Sequence, residues 1–296
     1  MKLLKNKLNA DSAFPWIAPS VIILFSITII PTIFLFYTSL HRLRLGQEYS
    51  DRIFLGLQNY VRLFSSSDFI FTIQITLIYT FVCLIIQFVL GFILALFFTQ
   101  KDLIGRGVMV TLLVIPMTVT YSISGLIWRL HFNPTYGIVN RILNTLFNIS
   151  PNWYSSELAL ISAITVDVWQ WTPFVVLVLV AGLSAMPKSV IEASLVDGAN
   201  LFQRLRYIIL PMIKPIILIV LLLRAIQLLI MPDIIFSLTE GGPGSATEIL
   251  SIFIYRTGFH QTNRLGLGSA AAVILLVIAI ILSQLLIKYM GRTDSQ

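Results

Sequence analysis

Long charge-free apolar runs alternate with short polar stretches along this chain, and the alternation predicts membrane-spanning helices. The first run carries no charge from Ser12 to Leu40 and predicts a helix over about Ile17 to Thr38. Phe69 to Gln100, also without charge, predicts the second, and Gly107 to Trp128 the third. Leu158 to Leu183 predicts the fourth, interrupted by Asp167, and Tyr207 to Met231 the fifth, interrupted by Arg224. Leu265 to Ile287 predicts the sixth. Helices satisfy their own backbone in lipid, so the expected fold is all-α, a polytopic bundle of six transmembrane helices. Lys2, Lys5 and Lys7 precede the first run as in a signal peptide. That run exceeds the roughly 7–15 residues of a signal segment and ends in no small-residue cleavage site, so it is expected to stay as the first span.

The polar stretch Glu192 to Pro211 has its own pattern. Pro187 suits the first turn of a helix, where its missing N–H costs nothing. Val190, Ile191, Ser194 and Leu195 then share one helical face, with Glu192 and Asp197 off it. Gly198 can take a positive φ and end that helix. Asn200, with Gln203 three residues on, can cap another. The predicted order is helix, glycine break, helix.

Composition fits this picture: 57% of residues are hydrophobic and 11% charged, against about 25% charged in soluble domains. No stretch is left for a separate soluble domain, and a single membrane domain is expected over 1–296. It divides into an N-terminal segment, first helix and loop (1–69) and a five-helix core (70–288), with the short polar helix at about 187–199. With the termini on the cytoplasmic side, the inner segments hold all seven lysines (counting Lys214 near the start of the fifth span) and four arginines, against eight arginines in the outer loops. The net charge of +7 is spread between spans, with no basic run of the kind nucleic acid requires.

Candidate chemistry is sparse. Cys83 stands alone, and His41, His131 and His260 fall in separate outer loops, so no metal or catalytic cluster is expected. Gly241-Gly242-Pro243-Gly244 lacks the Gly-Lys-Ser/Thr of a phosphate loop. An enzyme active site is not visible. The intramembrane charges Asp167 and Arg224 do call for explanation, since each costs at least ~2.5–3.5 kcal/mol on insertion. Asp167, Gln170 and Trp171 share a helical face, as do Arg224 and Gln227. Two readings stand: a buried structural pair or partner contact, and the lining of a translocation path. Tyr121, Trp128, Trp169 and Trp171 suit either an interfacial belt or stacking on the apolar face of a sugar ring.

The spacing Glu192-Ala193-Ser194, three residues, Gly198, nine residues, Ile208, one residue, Leu210-Pro211 resembles the EAA signature of the membrane subunits of binding-protein-dependent ABC importers. Ser194 replaces the usual second Ala, and Asp197-Gly198-Ala199 matches the common form. Other stretches resemble sugar-type, maltose-transporter-like permeases: Gly56-Leu57-Gln58-Asn59-Tyr60 with Phe64 and Phe69, Pro116 with Trp128, Asn133-Pro134, Gly137 and Asn140, and Thr239 to Gly244 with Thr247-Glu248 and Tyr255. Gly266 to Ser283 resembles their last helix. The resemblance implies a type I ABC importer permease fold with cytoplasmic termini, in a bacterial or archaeal cytoplasmic membrane. It implies a second, similar permease, two ATP-binding subunits that carry the ATP and Mg, and an extracellular or periplasmic solute-binding protein. Glu192, Ala193, Ser194, Asp197, Gly198 and Ala199 would form the helix that couples to the ATPase. Asp167, Trp171, Arg224, Gln227, Asp233, Trp128 and Tyr121 are the candidates for the substrate path. Asp233 matches the family's acidic residue before the Gly-Gly-Pro turn, while Pro232 departs from the usual aromatic. Glycerol-phosphate-type solutes remain an alternative to sugars, and a secondary transporter or membrane enzyme a more distant one.

Overall fold

The computed structural model describes residues 2–100, 103–260 and 264–291. Lys101 and Arg292, two of the charges counted for orientation, lie outside these residues. The helices in chain order are α1 (Lys2–Ser39), α2 (Gln58–Phe64), α3 (Ser67–Phe98), α4 (Arg106–Thr118), α5 (Tyr121–His131), α6 (Ile138–Phe147) and α7 (Ala159–Ser184). There follow α8 (Lys188–Val196), α9 (Leu201–Arg204), α10 (Leu210–Ile230), α11 (Asp233–Thr239), α12 (Leu250–Tyr255) and α13 (Leu265–Gly291). Among the described residues the only strands are the two-residue pair β1 (His41–Arg42) and β2 (Ile53–Phe54), joined antiparallel.

Among the described residues, five stretches are long and apolar enough to cross a membrane: Ile17–Ser39, Ser67–Phe98, Ala159–Ser184, Leu201–Ile230 and Leu265–Lys288. Each coincides with a predicted span. The third predicted span, Gly107 to Trp128, is not one straight helix. It is the pair α4 and α5, bent by 97°. Val119 and Thr120 are both extended between them, with ψ of 137° and 149°. Pro116 contributes no N–H to the last turn of α4, and Val119 is β-branched, so the helix ends cheaply here.

The chain gathers into two compact units, 1–65 with 254–274, and 66–253 with 275–296. In the first, Thr38 Oγ1 on α1 donates to Ser269 Oγ on α13 at 2.9 Å. Asn59 on α2 clamps the chain after α1, donating to the carbonyls of Ser39 and His41 at 2.8 and 3.0 Å. In the second unit α3 packs along α7, and α10 packs on both. One core cluster runs through Ile75, Tyr79, Ala163, Val166, Ala225 and Leu228, and another through Ala95, Val175, Leu179, Ile213 and Val220. Apolar side chains that remain exposed, such as Ile85, Val89 and Ile93 on α3, suit a lipid-facing surface.

Candidate functional site

Two sites emerge in the second unit, one polar helix break at a span end and one polar network inside the bundle. The first begins at Pro187, which caps α8 in an extended conformation. Gly198 adopts φ +75°, the left-handed region that costs other L-residues roughly 1–2 kcal/mol. The turn it makes satisfies the last carbonyls of α8: Gly198 N–H donates to Leu195 O and Ala199 N–H to Ser194 O, at 3.1 and 3.0 Å. Asn200 then opens α9 with a complete capping box. Its side chain accepts from Gln203 N–H, and Gln203 returns the bond to Asn200 N–H at 2.8 Å. No loose residue separates the two helices, because both ends are closed by hydrogen bonds.

Ser194 is buried, and its hydroxyl donates to Ile191 O at 2.6 Å, so replacing the usual Ala leaves no unpaired polar group. Glu192, Ala193, Asp197 and Gly198 are exposed, and no atom lies within 4 Å of where a Gly198 Cβ would stand. Beside them stand exposed apolar side chains that the sequence reading left out: Val196, 88% exposed, Leu201 and Phe202. Such a patch next to small and acidic residues marks a contact surface. The signal was present in Val196 and in the apolar pair directly after the Asn200 cap. A groove of about 490 Å³ between α8 and the span ends includes Glu192, Leu195, Thr99 and Ile209 in its lining.

The second site joins Asp167 on α7 to Arg224 on α10. Arg224 Nη2 reaches Asp167 Oδ1 at 2.5 Å, with the arginine 1% and the aspartate 4% exposed. Gln87 on α3 completes the triangle, accepting from Arg224 Nε at 2.9 Å and donating to Asp167 Oδ1 at 2.6 Å. Gln227 accepts from Arg224 Nη1 at 2.8 Å, and Tyr79 donates to Asp167 Oδ2 at 3.2 Å. The guanidinium also lies over Trp171, 4.8 Å from its ring centre, and Trp171 stacks on Tyr121 at 5.0 Å. Every polar arm of the pair is thus engaged, which is how charges persist at such depth. Tyr79 carried no sequence signal, since it is 88 residues from its partner.

Gln170, one residue before Trp171, faces the bend between α4 and α5. Its Nε2 donates to Val119 O at 2.7 Å, while its Oε1 and the Trp171 Nε1 are buried without a partner among the described residues. Asp233 is not in the network but exposed in the first turn of α11, and Trp128 sits in an aromatic group with Phe132 and Trp169. Nearby, a cavity of about 640 Å³ is lined by Arg129, Asn133, Tyr136, Tyr154 and Pro243 among others. Arg129 pairs with Glu240 at 3.3 Å, and burial pushes the Tyr154 phenol up to about 12. The polar signatures around it are structural in part: Asn140 accepts from Trp153 Nε1, and the Thr239 and Thr247 hydroxyls meet at 2.7 Å across the Gly-Gly-Pro turn.

The sequence pattern of the family described as binding-protein-dependent transport system inner membrane component matches residues 87–293. The chain belongs to that family. The permease is 36% identical to the trehalose/maltose transport system permease protein MalF of Thermococcus litoralis, over 92% of this chain and 91% of that one. It is 32% identical to the trehalose transport system permease protein SugA of Mycobacterium tuberculosis, over 94% and 88%. Its fold matches a chain in the crystal structure of a bacterial ABC transporter involved in the import of alginate, at TM-score 0.81, 23% identity and full coverage of both chains. The expected type I importer permease fold is therefore the fold of this multi-pass membrane protein, and its relatives are permease subunits.

Proposed function

We propose that the permease forms half of the translocation path of an ATP-driven importer for a sugar or oligosaccharide. The observation that carries this reading is the unbroken link from α8 through Gly198 to α9 and α10, closed by hydrogen bonds on both sides of the glycine. A second, similar permease would complete the path, and two ATP-binding subunits, holding ATP and Mg, would dock on α8 through Glu192, Ala193, Asp197, Ala199 and the exposed Val196. A solute-binding protein would deliver the ligand from outside a bacterial or archaeal cytoplasmic membrane. The trehalose/maltose and trehalose permeases among its relatives support the choice of sugar.

Closure of the ATPases would draw the two α8 helices together. Because Gly198 and the Asn200 cap leave no slack, the displacement passes into α10, and the bundle moves between inward-open and outward-open states that both ends bias. Hydrolysis resets it. Along the path, Tyr121, backed by Trp171, offers a ring face to the apolar side of a pyranose, with Trp128 further along. Gln227 and Asp233 add polar contacts nearer the other end of α10. Asp167 and Arg224 take the structural reading, because their enclosure by Gln87 and Tyr79 leaves no free polar arm for a ligand.

The test is affinity purification of the tagged chain from its native membranes, followed by ATPase assay with candidate sugars and the cognate binding protein. Recovery of a P-loop ATPase and a second permease, with hydrolysis raised by sugar-loaded binding protein, is the expected result. Recovery of the chain alone under conditions that keep such complexes intact would end this reading.

A further inference from the structure

Four of the eight arginines counted in the outer loops converge on one small cavity in the first unit. Arg42, Arg44, Arg62 and Arg264 line it together with Leu43, Asn59 and Leu267. Among the described residues none of the four has a carboxylate partner. Glu48 and Asp51, on the same loop, are not in the lining and instead take the Ser50 hydroxyl at 3.2 and 3.4 Å. Like charges gathered without a counter-ion repel by about 1 kcal/mol per close pair even in water. A surface with no use for them would let them spread.

The fold instead holds them together through its backbone. His41 and Leu43 are buried, so the strand period turns Arg42 and Arg44 to the same outer side. Gly266 N–H donates to Leu43 O at 3.1 Å, which fixes Arg264 beside that strand. The approach is so close that a Cβ on Gly266 would stand 2.0 Å from His41 O. Asn59, anchored on the Ser39 and His41 carbonyls, brings Arg62 one turn along α2 to the same place. Three chain segments are thus pinned so that four guanidinium groups share one space.

We propose that this cavity binds the phosphate of an anionic phospholipid headgroup. Its volume, about 170 Å³, suits a single tetrahedral anion, below the roughly 300–1,000 Å³ of pockets for sugar-sized ligands. A shallower depression lined by Arg42, Arg44, Leu45, Gly46 and Gln47 shares two of the arginines and gives the rest of a headgroup room. The depth points to lipid rather than to a dissolved anion. The first apolar span ends at Ser39 and the last begins at Leu265, so Arg42, Arg44 and Arg264 lie within a few residues of the ends of two spans, where headgroups lie. Arginine forks match phosphate oxygens in pairs. The site also accounts for arginines outside the membrane, where charge bias alone disfavours them.

The experiment is native mass spectrometry of the purified transporter complex with phosphatidylglycerol, with phosphatidylcholine, and with inorganic phosphate alone. The wild type is compared with Arg44→Gln, Arg264→Gln and the triple Arg42→Gln/Arg62→Gln/Arg264→Gln. All of these side chains are exposed, and single variants that keep the thermal transition of the wild type test the site without loss of fold. The wild type is expected to retain phosphatidylglycerol over phosphatidylcholine, with retention falling roughly fivefold for each arginine removed. Equal retention by wild type and triple variant overturns the proposal. So does binding of inorganic phosphate that displaces the lipid completely at millimolar concentration, which would make this a site for a free anion. Loss of stimulation by the binding protein with lipid retention unchanged would also overturn it, making the cluster a protein-docking surface. The lipid-retention and phosphate outcomes do not depend on which solute the permease carries.

Discussion

Gln170 on α7 donates its side-chain amide to the carbonyl oxygen of Val119, 2.7 Å away across the break in the third span. A helix that stops inside a bundle leaves carbonyls unpaired, and here a neighbouring span supplies a donor. The bend is therefore a stable joint between α4 and α5 with its own fastening. Replacing Gln170 by Leu would leave the Val119 carbonyl without that donor at a cost of about 1–3 kcal/mol. The purified complex should show a lower thermal transition in this variant. An unchanged transition would mean that packing alone holds the 97° bend.

The Asp167–Arg224 pair invites a double-mutant cycle. Arg224→Met alone strands a buried carboxylate and is expected to destabilise by about 3–5 kcal/mol, with Asp167→Leu comparably harmful. The double variant Asp167→Leu/Arg224→Met should recover most of that stability. Uptake by a stable double variant would identify the pair as structural. A stable double variant without uptake would return both residues to the translocation path.

Much of this was legible beforehand. The spans α3, α7 and α13 stand out because lipid demands long apolar runs and tolerates few charges, so each boundary is written in composition. The glycine break at Gly198 and the Asn200–Gln203 cap were readable because both are local, set by residues at most three apart. The Asp167–Arg224 contact was one of two readings open for two isolated charges at depth, and the structure brings the two side chains together. The bend at Val119 was not foreseen, because the hydropathy of Gly107 to Trp128 is continuous and says nothing of direction. Nor was Tyr79, whose role depends on how α3 is rotated against α7.

Gly198 separates local strain from contact. At φ +75°, Asn and Asp are the least strained replacements, and the space around the missing Cβ is open. Gly198→Asp and Gly198→Asn should therefore insert and fold with small loss of stability, yet Gly198→Asp should abolish uptake by placing a charged side chain in the proposed ATPase contact. Normal uptake by a folded Gly198→Asp variant would remove α8 from the coupling role.

Gly266 gives a prediction of the opposite kind, structural and independent of transport. Ala at this position meets His41 O at a distance no Cβ tolerates. Gly266→Ala should lower stability by about 1–3 kcal/mol and loosen the approach of Arg264 to Arg42. Reduced yield of folded complex, with increased protease cutting between residues 43 and 58, is the expected outcome. A variant as stable and as resistant as the wild type would show that the two segments separate freely.

Between α9 and α10 the chain makes one wide turn, Leu205–Ile209, in which Leu210 N–H bonds to Leu205 O rather than to the nearer carbonyl. Pro211 follows at once, and its ring would crowd the Tyr207 carbonyl in a regular helix. The wide turn holds one residue more than an α turn would, and one residue is about 100° of rotation. It therefore sets the compass bearing of everything after it. Deleting a single residue from 205–209 would leave α10 as apolar and as long as before, but would swing Arg224 away from Asp167 and toward the acyl chains. The phase of this helix, rather than its hydrophobicity, is what keeps Arg224 indoors.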